Sequence, residues 1–225
     1  MIKQEFAVKG ILLLAAVFLG FGAMGCDPAR TLPPPIVKSV VSVYEPLPVA
    51  EPPRDGYPVV SPGQWPMGWV PSSSVEDKRR WRGITIHHSA THSGNAAQFD
   101  QIHKNNKGWD GLGYHFVIDN GHGGRDGAVE VGYRWKEQST GAHCRPRNCA
   151  DNYWNEHTIG ICLVGNFEVS RPSGAQMNAL TKLVQFLQQR YRIPTGEIRG
   201  HGQVPGAKTA CPGKNLSVWQ FKQRL

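Results

Sequence analysis

The sequence has no dense run of lysine and arginine; its basic triplet, Lys78-Arg79-Arg80, is short. Nucleic-acid-binding domains carry a basic patch or stripe. Its absence argues against a nucleic-acid partner, even though the formal net charge is +8 and the pI is about 9.4. That balance suits an anionic partner such as a membrane surface or an acidic cell-wall polymer, and suits equally well a merely soluble basic surface. Long hydrophobic runs are also missing. The most apolar stretch, Ile11 to Phe21, is too short to read as a membrane span. No segment repeats another, and 225 residues suffice for one domain plus extras. Cysteine is scarce, with five in the chain. Cys162 lies in the apolar run Ile159-Gly160-Ile161-Cys162-Leu163-Val164 and reads as a small core residue. Cys144 and Cys149 sit close together in a polar stretch with Pro146, and form the one plausible disulfide, which requires an oxidising compartment.

Proline is concentrated at one end. Residues 27–78 hold twelve of the seventeen prolines, including Pro33-Pro34-Pro35 and Pro52-Pro53. Chain of that composition favours extended, polyproline-like conformations and builds no core. It reads as a spacer. Within it, Trp65-Pro66-Met67-Gly68-Trp69-Val70 is less linker-like, and its two tryptophans are candidates to dock on the folded domain. Before the spacer, Lys3 and Lys9 precede the apolar stretch, as in a signal peptide. The stretch closes with Ala23-Met24-Gly25-Cys26, which resembles a bacterial lipobox, with Ala23 where leucine is usual. A lipobox implies that Cys26 is lipidated and anchors an exported protein to a membrane of the cell envelope or periplasm. An ordinary cleaved signal and an uncleaved anchor are the alternatives. The expected division is a leader over 1–25, a proline-rich linker over 26–78 with its last part ordered, and one domain over 79–225.

From Trp81 the patterning becomes that of a folded domain. Arg82-Gly83-Ile84-Thr85-Ile86-His87-His88 alternates as a strand does, with Ile84 and Ile86 on one face and Thr85 and His87 on the other. Ser93-Gly94-Asn95 opens a helix through about Lys104. A second strand spans Gly113–Asp119, and a Gly-rich turn over 120–127 leads into Ala128–Tyr133 as a hairpin. Thr158–Val164 is almost wholly apolar, as a strand buried on both faces should be. After Ser173-Gly174, Met177, Leu180, Leu183, Val184, Leu187 and Tyr191 fall on one helical face, and Pro194 and Gly196 stop the helix. Glu197–Gly200 forms a short strand and 216–224 a last helix. The implied fold class is α/β, a mixed central sheet flanked by helices.

The chemistry gathers at the C-terminal end. His201 and Cys211 bracket a loop of small, Gly- and Pro-containing residues, and Cys211 is followed at once by Pro212-Gly213. Imidazole and thiolate both suit zinc, and a catalytic zinc uses three protein ligands with the fourth position open. His87, far upstream, is the candidate third ligand. A surface loop with an idle histidine and a buried cysteine would look the same over this stretch alone, because His-x9-Cys is not a tight ligand spacing.

Four motifs in order resolve more: Ile86-His87-His88-Ser89-Ala90-Thr91, then Gly113-Tyr114-His115-Phe116, then His157 through Gly165, then Gly200-His201 with Cys211-Pro212-Gly213. Together they resemble the zinc-dependent N-acetylmuramoyl-L-alanine amidases of the type 2 family, shared with peptidoglycan-recognition proteins and phage amidases, over roughly Trp81 to Leu225. The resemblance implies a single peptidoglycan-recognition-like domain binding one zinc per chain through His87, His201 and Cys211. His88 is the alternative first ligand, but alternation sends it to the opposite side from His87. Tyr114 falls where the recognition-protein and phage branches place a tyrosine beside the metal water. Cytoplasmic recycling amidases carry a glutamate base where this chain has Cys162, so this chain should follow the tyrosine-using branch. Many relatives have lysine two residues before the third ligand; here that place is Thr209, with Lys208 one earlier, and either could assist catalysis. His143 matches a Gly-Ala/Ser-His segment that lines the family's substrate groove, Asn155 matches a family asparagine preceding the third strand, both candidates to bind substrate, and Trp109 and Trp135 could flank sugar or peptide. The implied reaction is hydrolysis of the amide joining N-acetylmuramic acid to L-alanine, on peptidoglycan or muramyl peptides, by a monomer. The rival is a recognition module that grips muramyl peptide without cutting it. Non-catalytic relatives typically lose the cysteine ligand, which this chain keeps.

Overall fold

In a computed structural model of the chain, the structure describes residues 65–72, 74–75, 81–146 and 151–225. Cys26, Cys149, the basic triplet and most of the proline-rich segment lie outside the described residues.

Strand β1, Gly83–His88, lies inside the sheet, one strand from its edge. It pairs in parallel with β4, Thr158–Leu163, on one side and with β5, Ile198–Gly200, on the other. Beyond β4 lies β2, Phe116–Ile118, also parallel, and the antiparallel β3, Val129–Val131, closes that edge. The five-stranded order is β3-β2-β4-β1-β5. The expected mixed sheet with flanking helices is what forms.

Alternation assigns the two faces. Ile84, Ile86, Ile159, Ile161 and Leu163 pack into one core with Leu180, Leu183, Val184 and Leu187 of helix α4, Gly174–Tyr191. Each of these nine side chains is fully buried, and burial of one such aliphatic group contributes roughly 1.5–3 kcal/mol. α4 starts where Ser173 accepts from the Gln176 amide and Gln176 reaches back, a capping box. The Gln176 side-chain amide also donates to the carbonyls of Ile118 and Val164, tying the start of α4 to the ends of β2 and β4. Trp65 and Trp69 pack on Phe186 of the same helix, with ring centroids 5.4 and 5.7 Å away.

The opposite face carries a smaller core: Phe99 of helix α1 (Ala96–Lys107), with Leu112, Val117, Cys162 and Val164. α1 is capped by Asn95, which accepts from the Gln98 amide, and ends at Gly108 in the left-handed conformation, φ 65°. His87 points to this face. Its Cα lies opposite that of Cys162, which in turn lies opposite Val117, so the three form one row across β1, β4 and β2.

Several expectations need adjusting. The second strand is shorter than Gly113–Asp119. Gly113 is engaged elsewhere, its amide donating to His103 Nδ1 and its carbonyl accepting from Ala142. Tyr114 therefore stands just before β2. Two short helices were not foreseen, α2 (Tyr133–Lys136) and α3 (Tyr153–His157). One turn of helix is too brief for hydrophobic periodicity to register. The last helix, α5, is Val218–Lys222, capped by Ser217.

Candidate metal centre

Parallel strands leave their C-terminal ends on one edge, and α/β sheets bind ligands there. β1 delivers His87 as its penultimate residue, and β5 runs straight into His201. The loop after His201 folds back so that the Gly202 amide donates to the Cys211 carbonyl at 2.7 Å. A Cβ at Gly202 would lie 2.6 Å from the Thr209 carbonyl, so this close return needs glycine. The result brings His87, His201 and Cys211 together, with one ligand atom from each lying within 4.8 Å of the others.

The distances fit a metal. His87 Nδ1 is 3.7 Å from Cys211 Sγ. A tetrahedral zinc with ordinary Zn–N and Zn–S bonds separates its nitrogen and sulfur ligands by about 3.6 Å. The His87 and His201 ring centroids are 4.7 Å apart. The donor set, two imidazoles and a thiol with no carboxylate, is the chemistry zinc favours. The backbone N–H of His88 lies 3.4 Å from Cys211 Sγ and supplies a hydrogen bond to sulfur charge.

Burial prepares these groups unequally. It holds His201 down to about 4 and pushes the Cys211 thiol up to about 12. His87 is held well below the usual imidazole range, first by burial and then by the neighbouring histidines His143 and His201. The imidazoles are thus neutral and competent to ligate at pH 7, whereas the thiol must give up its proton when a cation arrives.

The other expected residues divide into two groups. Tyr114 stands beside the trio, its ring 5.2 Å from that of His87. Burial, then the proximity of Cys162 and Cys211, raises its phenol well above the usual value, so it remains a proton donor. Thr209 and Lys208 lie exposed on the returning loop, with Thr209 Oγ1 accepting from the Cys211 amide at 3.1 Å. A groove of about 430 Å³ opens beside Cys211, lined among others by Glu168, Gln203, Thr209, Lys214 and the exposed Trp219. Trp109 is 39% exposed and packs on His103, with ring centroids 4.8 Å apart.

His143 and Asn155, in contrast, are buried. His143 reaches His87 Nε2 through Nδ1 and the Thr158 carbonyl through Nε2, both at 3.1 Å. Asn155 Oδ1 accepts from the amides of His143 and Cys144 at 2.8 and 2.7 Å. Both face inward from the metal trio. Trp135 is fully buried, its indole N–H donating to the Trp69 carbonyl at 2.9 Å, and so flanks no ligand. His88 turns away from the trio, and its Nδ1 accepts from the Phe167 amide at 3.1 Å. Sequence patterning did not reveal the contact between His143 and His87, which lie 56 residues apart on different elements.

Comparison with known proteins identifies the family. The N-acetylmuramoyl-L-alanine amidase family, Amidase_2, matches residues 77–214, more than half of the chain. The chain belongs to this family. Among the chain's relatives, peptidoglycan-recognition protein SC2 of Drosophila simulans is 33% identical over 170 residues, covering 72% of this chain and 83% of the relative. The endolysin of Escherichia phage T7 is 33% identical over 150 residues, covering 63% and 87%. Among solved structures, the N-acetylmuramoyl-L-alanine amidase LysC of Clostridium intestinale superposes with a TM-score of 0.53 at 28% identity, over 65% of this chain and 87% of that one. Bumblebee PGRP-SA superposes at 0.50 with 26% identity, over 64% and 81%.

Proposed function

We propose that this family member is a zinc-dependent hydrolase that cuts the amide between N-acetylmuramic acid and L-alanine in peptidoglycan or its fragments. The observation that carries the reading is the convergence of His87, His201 and Cys211 at the C-terminal edge of the sheet, with Tyr114 beside them. His87 Nδ1, a nitrogen of His201 and Cys211 Sγ would hold the ion. A zinc held there supplies Lewis acidity, polarising the scissile carbonyl and acidifying water. The protein does the rest. Cys211 releases its proton as it ligates, and the His88 amide steadies the resulting sulfur charge. Tyr114, protonated throughout the neutral range, donates a hydrogen bond to the oxygen that gains charge as the carbonyl is attacked. Thr209 and Lys208, exposed on the loop that leads to Cys211, would supply a hydroxyl and a cation.

A second reading, recognition without cleavage, has its support in relatives named for peptidoglycan recognition. The complete two-histidine, one-cysteine set and Tyr114 favour hydrolysis. Incubating the protein with a muramyl peptide and weighing the products separates the two: free stem peptide with an L-alanine N-terminus supports the amidase, and binding without new fragments supports recognition. We further propose export to the cell envelope and anchoring through Cys26, supported by the leader-like composition of residues 1–25 and the spacer that follows. Among the described residues no helix is long and apolar enough to cross a membrane.

A further inference from the structure

The contact between His143 and His87 has a direction. A carbonyl oxygen only accepts, so the 3.1 Å contact of His143 Nε2 with the Thr158 carbonyl requires a proton on that nitrogen. Burial favours the neutral ring, which has one N–H, so His143 Nδ1 is left as an acceptor. His87 Nε2, 3.1 Å away, must then be the donor. A neutral His87 with its proton on Nε2 keeps its lone pair on Nδ1, the nitrogen that faces Cys211 Sγ. In the opposite tautomer a proton would point from Nδ1 at the metal position.

We infer that His143 is a positioning residue that fixes the tautomer and ring orientation of His87 for metal ligation, through a chain running from the Thr158 carbonyl to His143 to His87. The inference rests on the zinc reading proposed above, and assigns this buried histidine to supporting the ligand rather than to touching substrate.

The surroundings are built to hold that ring. Two glycines make the space: a Cβ at Gly160 would lie 2.5 Å from His143 Cγ, and one at Gly141 would lie 2.5 Å from its Cδ2. Asn155 pins the backbone, accepting from both the His143 and Cys144 amides, and is itself held by Asn152 Oδ1 at 2.8 Å. The imidazoles of His87 and His143 have centroids 5.1 Å apart and planes twisted by 78°, and at 3.1 Å His87 Nε2 and His143 Nδ1 face each other. Partners of this kind fix ligand tautomers, and removing one typically costs 10–100-fold in metal affinity.

The test uses the full chain and has two arms. Nitrogen-15 NMR of the metal-free wild-type protein reads the tautomers directly. The expected result is the Nε2–H form for both His87 and His143; a His87 in the Nδ1–H form overturns the inference, whatever the protein does with zinc. The second arm is zinc affinity, measured by competition with a chromophoric chelator, alongside the thermal midpoint of each apo-protein. His143→Phe keeps a ring and removes both nitrogens, and should bind zinc about 10–100-fold more weakly. His143→Asn keeps an acceptor oxygen near the Nδ1 position and should recover most of that loss. Tight zinc binding by wild type with unchanged affinity in the Phe variant overturns the positioning role while leaving the zinc reading intact. If the Phe variant does not fold, the tautomer measurement decides alone: His87 in the Nε2–H form supports the inference, and His87 in the Nδ1–H form overturns it. Wild-type protein that binds no zinc defeats the zinc reading instead.

Discussion

His87 Nδ1 and Cys211 Sγ lie 3.7 Å apart although 124 residues separate them in the chain. The parallel sheet closes that gap: β1 and β5 end side by side, and the loop leaving β5 needs only to fold back to bring the sulfur to the imidazole. The distance is what a shared tetrahedral zinc requires.

One consequence is proton release. Burial pushes the Cys211 thiol up to about 12, so at pH 7 it is protonated until a cation displaces the proton. Zinc affinity should therefore rise by about tenfold per pH unit between roughly 7 and 9, with about one proton released per zinc bound. Calorimetry in buffers of different ionisation enthalpy measures that proton directly. Uptake of zinc with no proton released would mean that Cys211 is not a ligand.

Tyr114 should separate chemistry from binding. Its phenol is held protonated well beyond the usual range, so in the proposed reaction it would donate a hydrogen bond rather than serve as a base. Tyr114→Phe should keep the fold and the zinc while lowering turnover on the order of 100- to 1000-fold, the usual cost of one oxyanion donor. Turnover and zinc content measured on one preparation check this. Near-normal cleavage would move the role to Thr209 or Lys208.

The opposite face of the sheet should matter for stability alone. Leu183 is fully buried between α4 and the sheet. Leu183→Ala should cost about 2–5 kcal/mol of unfolding free energy, with zinc affinity of the folded protein unchanged. Chemical denaturation and zinc titration of the same variant measure both.

Sequence and structure met most closely where periodicity was long or alternation strict. Ile84 and Ile86 separated cleanly from Thr85 and His87, and six apolar positions from Met177 to Tyr191 announced α4 and its face. Helices α2 and α3 were hidden because a single turn leaves no periodic trace. His143 was harder still. The sequence shows a Gly-Ala-His segment, but whether that histidine looks outward at a ligand or inward at His87 depends on the room left by Gly141 and Gly160 and on the grip of Asn155. Those are tertiary facts with no local signature. Trp135 illustrates the same limit: an aromatic near the site in sequence terms is a core residue in space.

Asp119 offers a test away from the metal. It is buried at the end of β2, and burial, then the charge and hydrogen bond of Glu130, raise its carboxyl from 3.8 to about 7. A carboxyl whose pKa rises on folding stabilises the fold fully below about 4, and that contribution is lost as pH climbs through about 7. Asp119→Asn abolishes this titration. The thermal midpoint of the variant relative to wild type should therefore shift in the variant's favour between pH 4 and pH 8, by a few °C on the order expected for a domain of this size. A difference constant over that range would show that Asp119 titrates normally.

The central claim is tested most directly by removing and restoring the metal while watching one bond. Purified full-length protein is stripped with a chelator, given a muramyl peptide, and titrated with zinc, and release of the L-alanine-terminated stem peptide is followed by mass. The account predicts no release from the stripped protein and recovery that saturates at one zinc per chain. Release at full rate from metal-free protein, or none at any zinc concentration, would contradict it.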